Sequence, residues 1–208
     1  GDLAPLVVFI HGGYWQELSK SESSFAAPSW VERGVAFAAL DYTLAPQATL
    51  PEIIEECRQA VRHLKNYAAE LNLDPDRLVL AGSSAGAYLA AAVASEIPVL
   101  ATLLISGIFE LAPLVGTSIN EALGLTENQA QQLSLRPPVG FPPSIVCWGE
   151  NETTEFKAQS QALAADLMAQ GTECQQYEIA GRNHFDVVFE LCDLSTPAAQ
   201  HLVSLVTH

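Results

Sequence analysis

The segment VLAGSSAGAYLAAAVA, residues 79 to 94, holds the first residues whose spacing suggests chemistry. A β-branched and apolar run ends at Ala81, Gly82-Ser83-Ser84-Ala85-Gly86 follows, and an alanine-rich helix pattern begins at once. A serine on so tight a strand-to-helix turn presents its hydroxyl as a nucleophile. The turn leaves no room for side chains two positions either side, which explains Gly82 and Gly86. The plainer reading is a glycine turn with a serine helix cap.

Acyl transfer through Ser84 needs donors for the carbonyl oxygen as it becomes negative, and backbone N–H groups do this well. The stretch HGGYWQ, residues 11 to 16, follows the apolar run LVVFI and stops it with two glycines. Consecutive glycines turn amides toward a pocket without blocking the approach. The oxyanion donors are therefore expected to be the backbone amides of Gly12, Gly13 and Ala85, the last at a helix N-terminus. Tyr14 and Trp15 are expected to line the pocket for the acyl group. Alternatively, HGG is a simple turn and the two aromatics belong to the core.

A serine hydroxyl needs a general base, which a third group orients. Of five histidines, His63 falls on the polar side of a helix pattern, His201 lies inside the last helix pattern and His208 is terminal. His11 sits at a strand end, where a structural hydrogen bond suits it better than proton transfer. His184, in the loop AGRNHFDVV after the last strand pattern, is the candidate base. The acid is expected after SIVCWG, where GENETTEF offers Glu150, Glu152 and Glu155. Glu155 suits the opening of the next helix and Glu150 follows the strand too closely, so Glu152 is preferred. Asp186, two positions from His184, is a poorer choice.

Something must position these groups. Apolar runs at Leu6–Ile10, Val35–Leu40, Arg77–Ala81, Val99–Ile105, Ser144–Trp148 and Glu173–Ile179 read as six strands. They alternate with helix patterns at Pro51–Leu71, Ser84–Ala94, Glu155–Gln170 and Pro197–Val206, the first opened by a proline and the third closed by Gly171. Such alternation predicts an α/β fold, a mostly parallel sheet with helices on both faces. The 208 residues fit one domain. Residues 106 to 143, long and proline-containing, form a candidate lid or cap segment over a pocket.

The net charge of −15 disfavours nucleic acid and anionic membrane surfaces as partners. Cys57, Cys147, Cys174 and Cys192 show no paired spacing, so neither a metal site nor disulfides are expected. No apolar run reaches the roughly 18 residues of a membrane span and no signal core opens the chain. A cytoplasmic setting, a small-molecule substrate and no cofactor are expected.

The motifs HGGYW, DYTLAP, GSSAGAYLAAA, ISGIFELAPL, SINEALGL, GENETTEF and GRNHFD resemble the kynurenine formamidase (arylformamidase) branch of the α/β-hydrolase fold, close to esterases of the hormone-sensitive-lipase type. The resemblance spans nearly the whole chain. It implies Ser84 as nucleophile, Glu152 where the family usually has aspartate, His184 as base, and the amides of Gly12, Gly13 and Ala85 for the oxyanion. It implies cleavage of a small N-formyl arylamide such as N-formylkynurenine, with short-chain carboxylesterase activity as the alternative and a non-catalytic small-molecule binder as a third possibility. It also implies that two strands of the family's sheet precede the first strand here.

Overall fold

The computed structural model describes residues 3–207. Six strands form one sheet: β1 (Ala4–Ile10), β2 (Ala36–Leu40), β3 (Leu73–Ser83), β4 (Ala101–Ile105), β5 (Ser144–Gly149) and β6 (Cys174–Ile179). Their spatial order is β2-β1-β3-β4-β5-β6 and every pairing is parallel. The chain thus runs outward from β1 to β2, crosses back to β3, and proceeds stepwise to β6. All strand C-termini lie along one rim, where open α/β sheets bind ligands.

The helices are α1 (Lys20–Ser23), α2 (Ala27–Val31), α3 (Leu50–Asn66), α4 (Ala85–Ala94), α5 (Asn120–Leu123), α6 (Glu127–Leu133), α7 (Thr154–Ala169) and α8 (Pro197–Thr207). Strand side chains alternate between two cores. Leu6, Val8, Ile10, Leu78, Leu80, Leu104 and Val146 pack with α3, α4 and α7. Val7, Phe9, Val79, Ala81, Leu103 and Ile145 pack with α2 and α8. Sandwiching between helices is why the central strands are apolar on both sides.

Two helices are particularly clear in their local causes. Thr49 caps α3 in a reciprocal box with Glu52, whose carboxylate accepts from the Thr49 amide at 2.8 Å. α4 is buried at all ten positions, as an apolar-all-round helix must be. Its alanines permit close approach to β3 and β4, and the Tyr88 hydroxyl donates to the Leu133 carbonyl of α6 at 2.7 Å.

Several expected boundaries move. α3 ends at Asn66 rather than Leu71, because the Leu73 amide turns back to the Ala68 carbonyl at 2.8 Å and starts β3. β3 begins at Leu73 instead of Arg77, with a register shift between Ala4 and Leu6. The Asp74–Arg77 ion pair at 3.0 Å occupies that irregularity. Residues 106–143 carry α5, α6 and a 3-10 turn at Ala112–Leu114. They bury Ile108, Phe109, Leu111, Leu123, Ala130 and Phe141 in the α3–α4–α7 core.

Among the described residues, no helix is long and apolar enough to cross a membrane. Among the same described residues, no group of three or more His, Cys, Asp or Glu is placed to hold a metal ion. All four cysteines are free thiols.

Candidate active site

Ser84 sits between β3 and α4 at φ 56°, ψ −122°. A non-glycine residue held there costs about 1–3 kcal/mol and persists only where its surroundings enforce it. The enforcement is visible. A Cβ at Gly82 would lie 2.2 Å from the Gly86 carbonyl oxygen, and one at Gly86 would lie 2.0 Å from the Ile10 carbonyl oxygen. The Ser84 amide donates to the Ile105 carbonyl at 2.8 Å, fastening the turn to β4.

His184 arrives on the loop after β6, and its Nε2 is 3.1 Å from Ser84 Oγ. Its Nδ1 is 2.9 Å from Glu152 Oε2. The Glu152 side chain is 0% exposed and that of His184 19%. With Nδ1–H donating to the carboxylate, Nε2 is left to accept the serine proton. Phe156 of α7 stacks on the imidazole with ring centres 3.9 Å apart, fixing its plane.

The other Glu152 oxygen, Oε1, accepts from the Gly149 amide at 2.6 Å and from the Ser106 hydroxyl. Burial acts to raise the Glu152 carboxyl, but hydrogen bonds from His184, Ser106 and Gly149 outweigh it and hold the group below the ordinary range. The remaining acids of the neighbourhood have other partners. Glu150 accepts from the Gly181 amide at 2.8 Å, Glu155 from Gln159 at 2.8 Å, and Asp186 from the Asn183 amide at 2.6 Å. Glu150 and Asp186 therefore tie the His184 loop in place. The two loops are stitched further by the Asn151 amide on the Arg182 carbonyl at 2.8 Å.

The loop after β1 is shaped as strictly as the elbow. Gly13 has φ +89°, and a Cβ there would lie 2.5 Å from the Glu17 carbonyl oxygen. A Cβ on Gly12 would lie 2.9 Å from the Ser83 carbonyl oxygen and 3.1 Å from the Ser84 Cβ, so the glycine pair lets this loop close against the elbow. Ala85 opens α4, so its amide has no intrahelical acceptor. The Tyr42 hydroxyl donates to the His11 and Gly12 carbonyls at 3.1 and 3.2 Å, and its ring stacks on His11 at 4.3 Å. Burial raises the Tyr42 phenol and keeps it a donor. His11 is 1% exposed, with Nδ1 at 3.0 Å from the Gly12 carbonyl oxygen. Burial lowers its pKa, so the ring is neutral near neutral pH.

The groups border a cleft of about 820 Å³ whose walls include Tyr14, Phe25, Phe156, Phe185 and Phe189. Trp15 differs from expectation: it is 0% exposed and packs edge-to-face on Tyr88 at 5.5 Å, inside the core. Both Tyr14 and Trp15 have positive φ, 50° and 62°, and the resulting chain reversal turns the indole inward while Tyr14 stays on the cleft. None of the cleft's lining comes from residues 106–143. That segment meets the glycine loop through Gln16, whose Nε2 donates to the Ile119 carbonyl at 2.9 Å. Ser106, Tyr42 and Phe156 escaped the sequence reading. Ser106 carried a detectable signal, a polar residue directly after the apolar run LLI that ends β4.

A family model described as BD-FAE matches residues 1–98. The kynurenine formamidase of Salmo salar is 31% identical, the alignment covering 97% of this chain and 73% of that protein. The kynurenine formamidase of Danio rerio is likewise 31% identical, over 91% of this chain and 68% of its own length. Among solved structures, the carboxylesterase EstE1, cloned from a metagenomic library, superposes with a TM-score of 0.81. That match covers 100% of this chain and 81% of EstE1 at 22% identity, a likeness of fold. The chain belongs to the kynurenine formamidase family, built on the α/β-hydrolase fold.

Proposed function

We propose that this protein is a serine hydrolase that removes a small acyl group, formyl in the first instance, from an arylamine. Ser84 is the nucleophile, His184 the base and Glu152 the carboxylate that orients it. The observation that carries this reading is the continuous chain of contacts from Ser84 Oγ to His184 Nε2 at 3.1 Å and from His184 Nδ1 to Glu152 Oε2 at 2.9 Å.

Ser84 Oγ attacks the formamide carbon while its proton passes to His184 Nε2. The carbonyl oxygen, now negative, is held by the amides of Gly12, Gly13 and Ala85. Collapse breaks the C–N bond, and the His184 proton goes to the leaving nitrogen, which departs as the arylamine. Water then loses a proton to His184 and attacks the formyl-serine. Collapse of that second intermediate releases formate and returns the proton to Ser84 Oγ. Throughout, the negative Glu152 stabilises the transient imidazolium.

Family membership supports the formamide. Tyr14 beside the glycine loop supports a small acyl group. A short-chain carboxylesterase is the second reading, favoured by the roomy aromatic cleft of about 820 Å³. Labelling by a fluorophosphonate probe is expected for the native protein and absent in Ser84→Ala. Failure of the native protein to label would leave a binding protein instead of an enzyme. A kcat/KM for N-formylkynurenine well above that for 4-nitrophenyl acetate is expected, and comparable values would move the assignment to the esterase.

A further inference from the structure

The cleft beside Ser84 has a composition that its hydrolytic chemistry does not require. Phe25 and Phe189 meet edge-to-face at 5.7 Å, and Phe9 extends the group through Phe25 at 6.0 Å. Across the mouth stands Phe185, 86% exposed and edge-on to the His184 ring at 5.8 Å. So large an exposed aromatic next to the reacting groups has little packing to explain it, whereas a flat apolar ligand would cover it.

The charges on the same wall are all of one sign. Glu17 and Glu22 both line the cleft, as does the buried Glu152, while none of its lining residues is lysine or arginine. The Ser19 hydroxyl donates to Glu22 at 2.5 Å and fixes that carboxylate on the rim. Cations on the neighbouring segments are already engaged: Lys20 lies 3.3 Å from Asp41 and Arg182 lies 3.8 Å from Glu190. His11, the remaining basic group of the wall besides His184, is neutral. Its Nε2 faces another carboxylate, Asp41, at 3.7 Å. Aromatic faces add to the preference, since their quadrupoles attract cations and repel anions.

We propose that this cleft sorts aromatic substrates by charge. It accepts cationic, uncharged or zwitterionic aryl esters and formanilides, N-formylkynurenine with its paired ammonium and carboxylate among them, and discriminates against those of net negative charge, with Glu17 and Glu22 as the specificity-determining residues. The proposal rests on the hydrolase reading and sharpens it. Two exposed carboxylates roughly 7 Å from a third, through a water-like medium, disfavour it by about five- to tenfold. The discrimination is electrostatic and long-ranged, so about 0.5 M salt removes most of it.

The test compares three aryl acetates that differ only at the end of a two-carbon arm: 3-(2-carbamoylethyl)phenyl, 3-(2-trimethylammonioethyl)phenyl and 3-(2-carboxyethyl)phenyl acetate, together with the matching formanilides. The arm keeps the leaving groups electronically alike. For the native protein at low salt, kcat/KM for the carbamoyl substrate should exceed that for the carboxylate about five- to tenfold. The ammonium substrate should equal or exceed the carbamoyl one. Raising NaCl to about 0.5 M should shrink the carbamoyl-to-carboxylate ratio. The double variant Glu17→Gln, Glu22→Gln should bring it near one by lifting the carboxylate substrate. A native ratio of one or less overturns the proposal, and so does a ratio indifferent to both salt and the double variant. Charge-blind turnover that still requires Ser84 would remove this inference alone. No turnover of any member, or turnover that survives Ser84→Ala, would remove the hydrolase reading and this inference with it.

Discussion

Glu152→Gln is the most searching substitution, because the hydrogen-bond network around residue 152 dictates which way the new amide faces. Oε1 of the native glutamate accepts from the Gly149 amide at 2.6 Å and from the Ser106 hydroxyl. A glutamine must keep its carbonyl oxygen there, since an NH2 group would oppose the Gly149 N–H. Its NH2 group then occupies the position of Oε2, 2.9 Å from His184 Nδ1. That nitrogen becomes an acceptor, the ring proton moves to Nε2, and Nε2 offers Ser84 a donor where it needs an acceptor. Locking a triad histidine in the wrong tautomer costs about ten-thousand-fold in kcat, or about 5 kcal/mol of transition-state stabilisation. Glu152→Ala removes the misplaced donor and leaves the ring free to choose, so it should cost less. Steady-state kcat on a formanilide and on 4-nitrophenyl acetate, with thermal unfolding to establish the fold, makes the comparison. A folded Glu152→Gln protein within tenfold of the native kcat would refute the reasoning, and so would an Ala variant much slower than the Gln variant.

Acid should expose the same carboxylate in stability. A group held below its unfolded pKa, about 4.3 for glutamate, contributes stability that is fully present above that value and is lost as pH falls through the lower folded value. The native protein should therefore lose more Tm between pH 5 and pH 3 than Glu152→Gln, and equal losses would contradict it. Ser106→Ala removes one donor from Glu152 while leaving Gly149, and should lower kcat about tenfold with KM little changed; an unchanged kcat would contradict it. Tyr42→Phe strips the donor from the His11 and Gly12 carbonyls; urea unfolding should show a loss of about 1–3 kcal/mol together with a lower kcat. Gly86→Ala puts a methyl 2.0 Å from the Ile10 carbonyl oxygen, and circular dichroism should reveal a loss of about 3 kcal/mol or failure to fold.

The strands were legible because most are short apolar runs bounded by turn residues, and five of the six emerge within two residues of their expected ends. β3 is the exception. Its first half, LDPDR, looks like a turn by composition, yet Leu73 pairs with Ala4 across an irregularity that local pattern does not encode. The short helices α1, α2, α5 and α6 were not foreseen, since four to seven residues hold too little periodicity. The elbow was readable because its glycines answer a steric demand at fixed spacing. His184 and Glu152 were readable only by chain order and by weighing neighbours. Trp15 was misplaced because an aromatic after a glycine pair can face either way, and its positive φ decides the matter. Tyr42 was invisible as a functional residue because it acts across strands, through contacts that no linear spacing expresses, and Ser106 showed only as a polar residue following an apolar run, with nothing in the sequence to name Glu152 as its partner.

The pairing of β3 with β4 sets Ser83 opposite Ile105, so Ser84 and Ser106 leave the sheet side by side. Both do so with positive φ, 56° and 48°. The fastening continues sideways, Ser84 to the Ile105 carbonyl and Ser106 to the Cys147 carbonyl, each at 2.8 Å. Deleting one residue inside β4 would slip this staircase by a step and turn every later side chain to the opposite face. Relatives of this chain can thus vary in length between strands, as the segment from 107 to 143 invites, whereas the frame of the three central strands leaves no slack for insertion or loss.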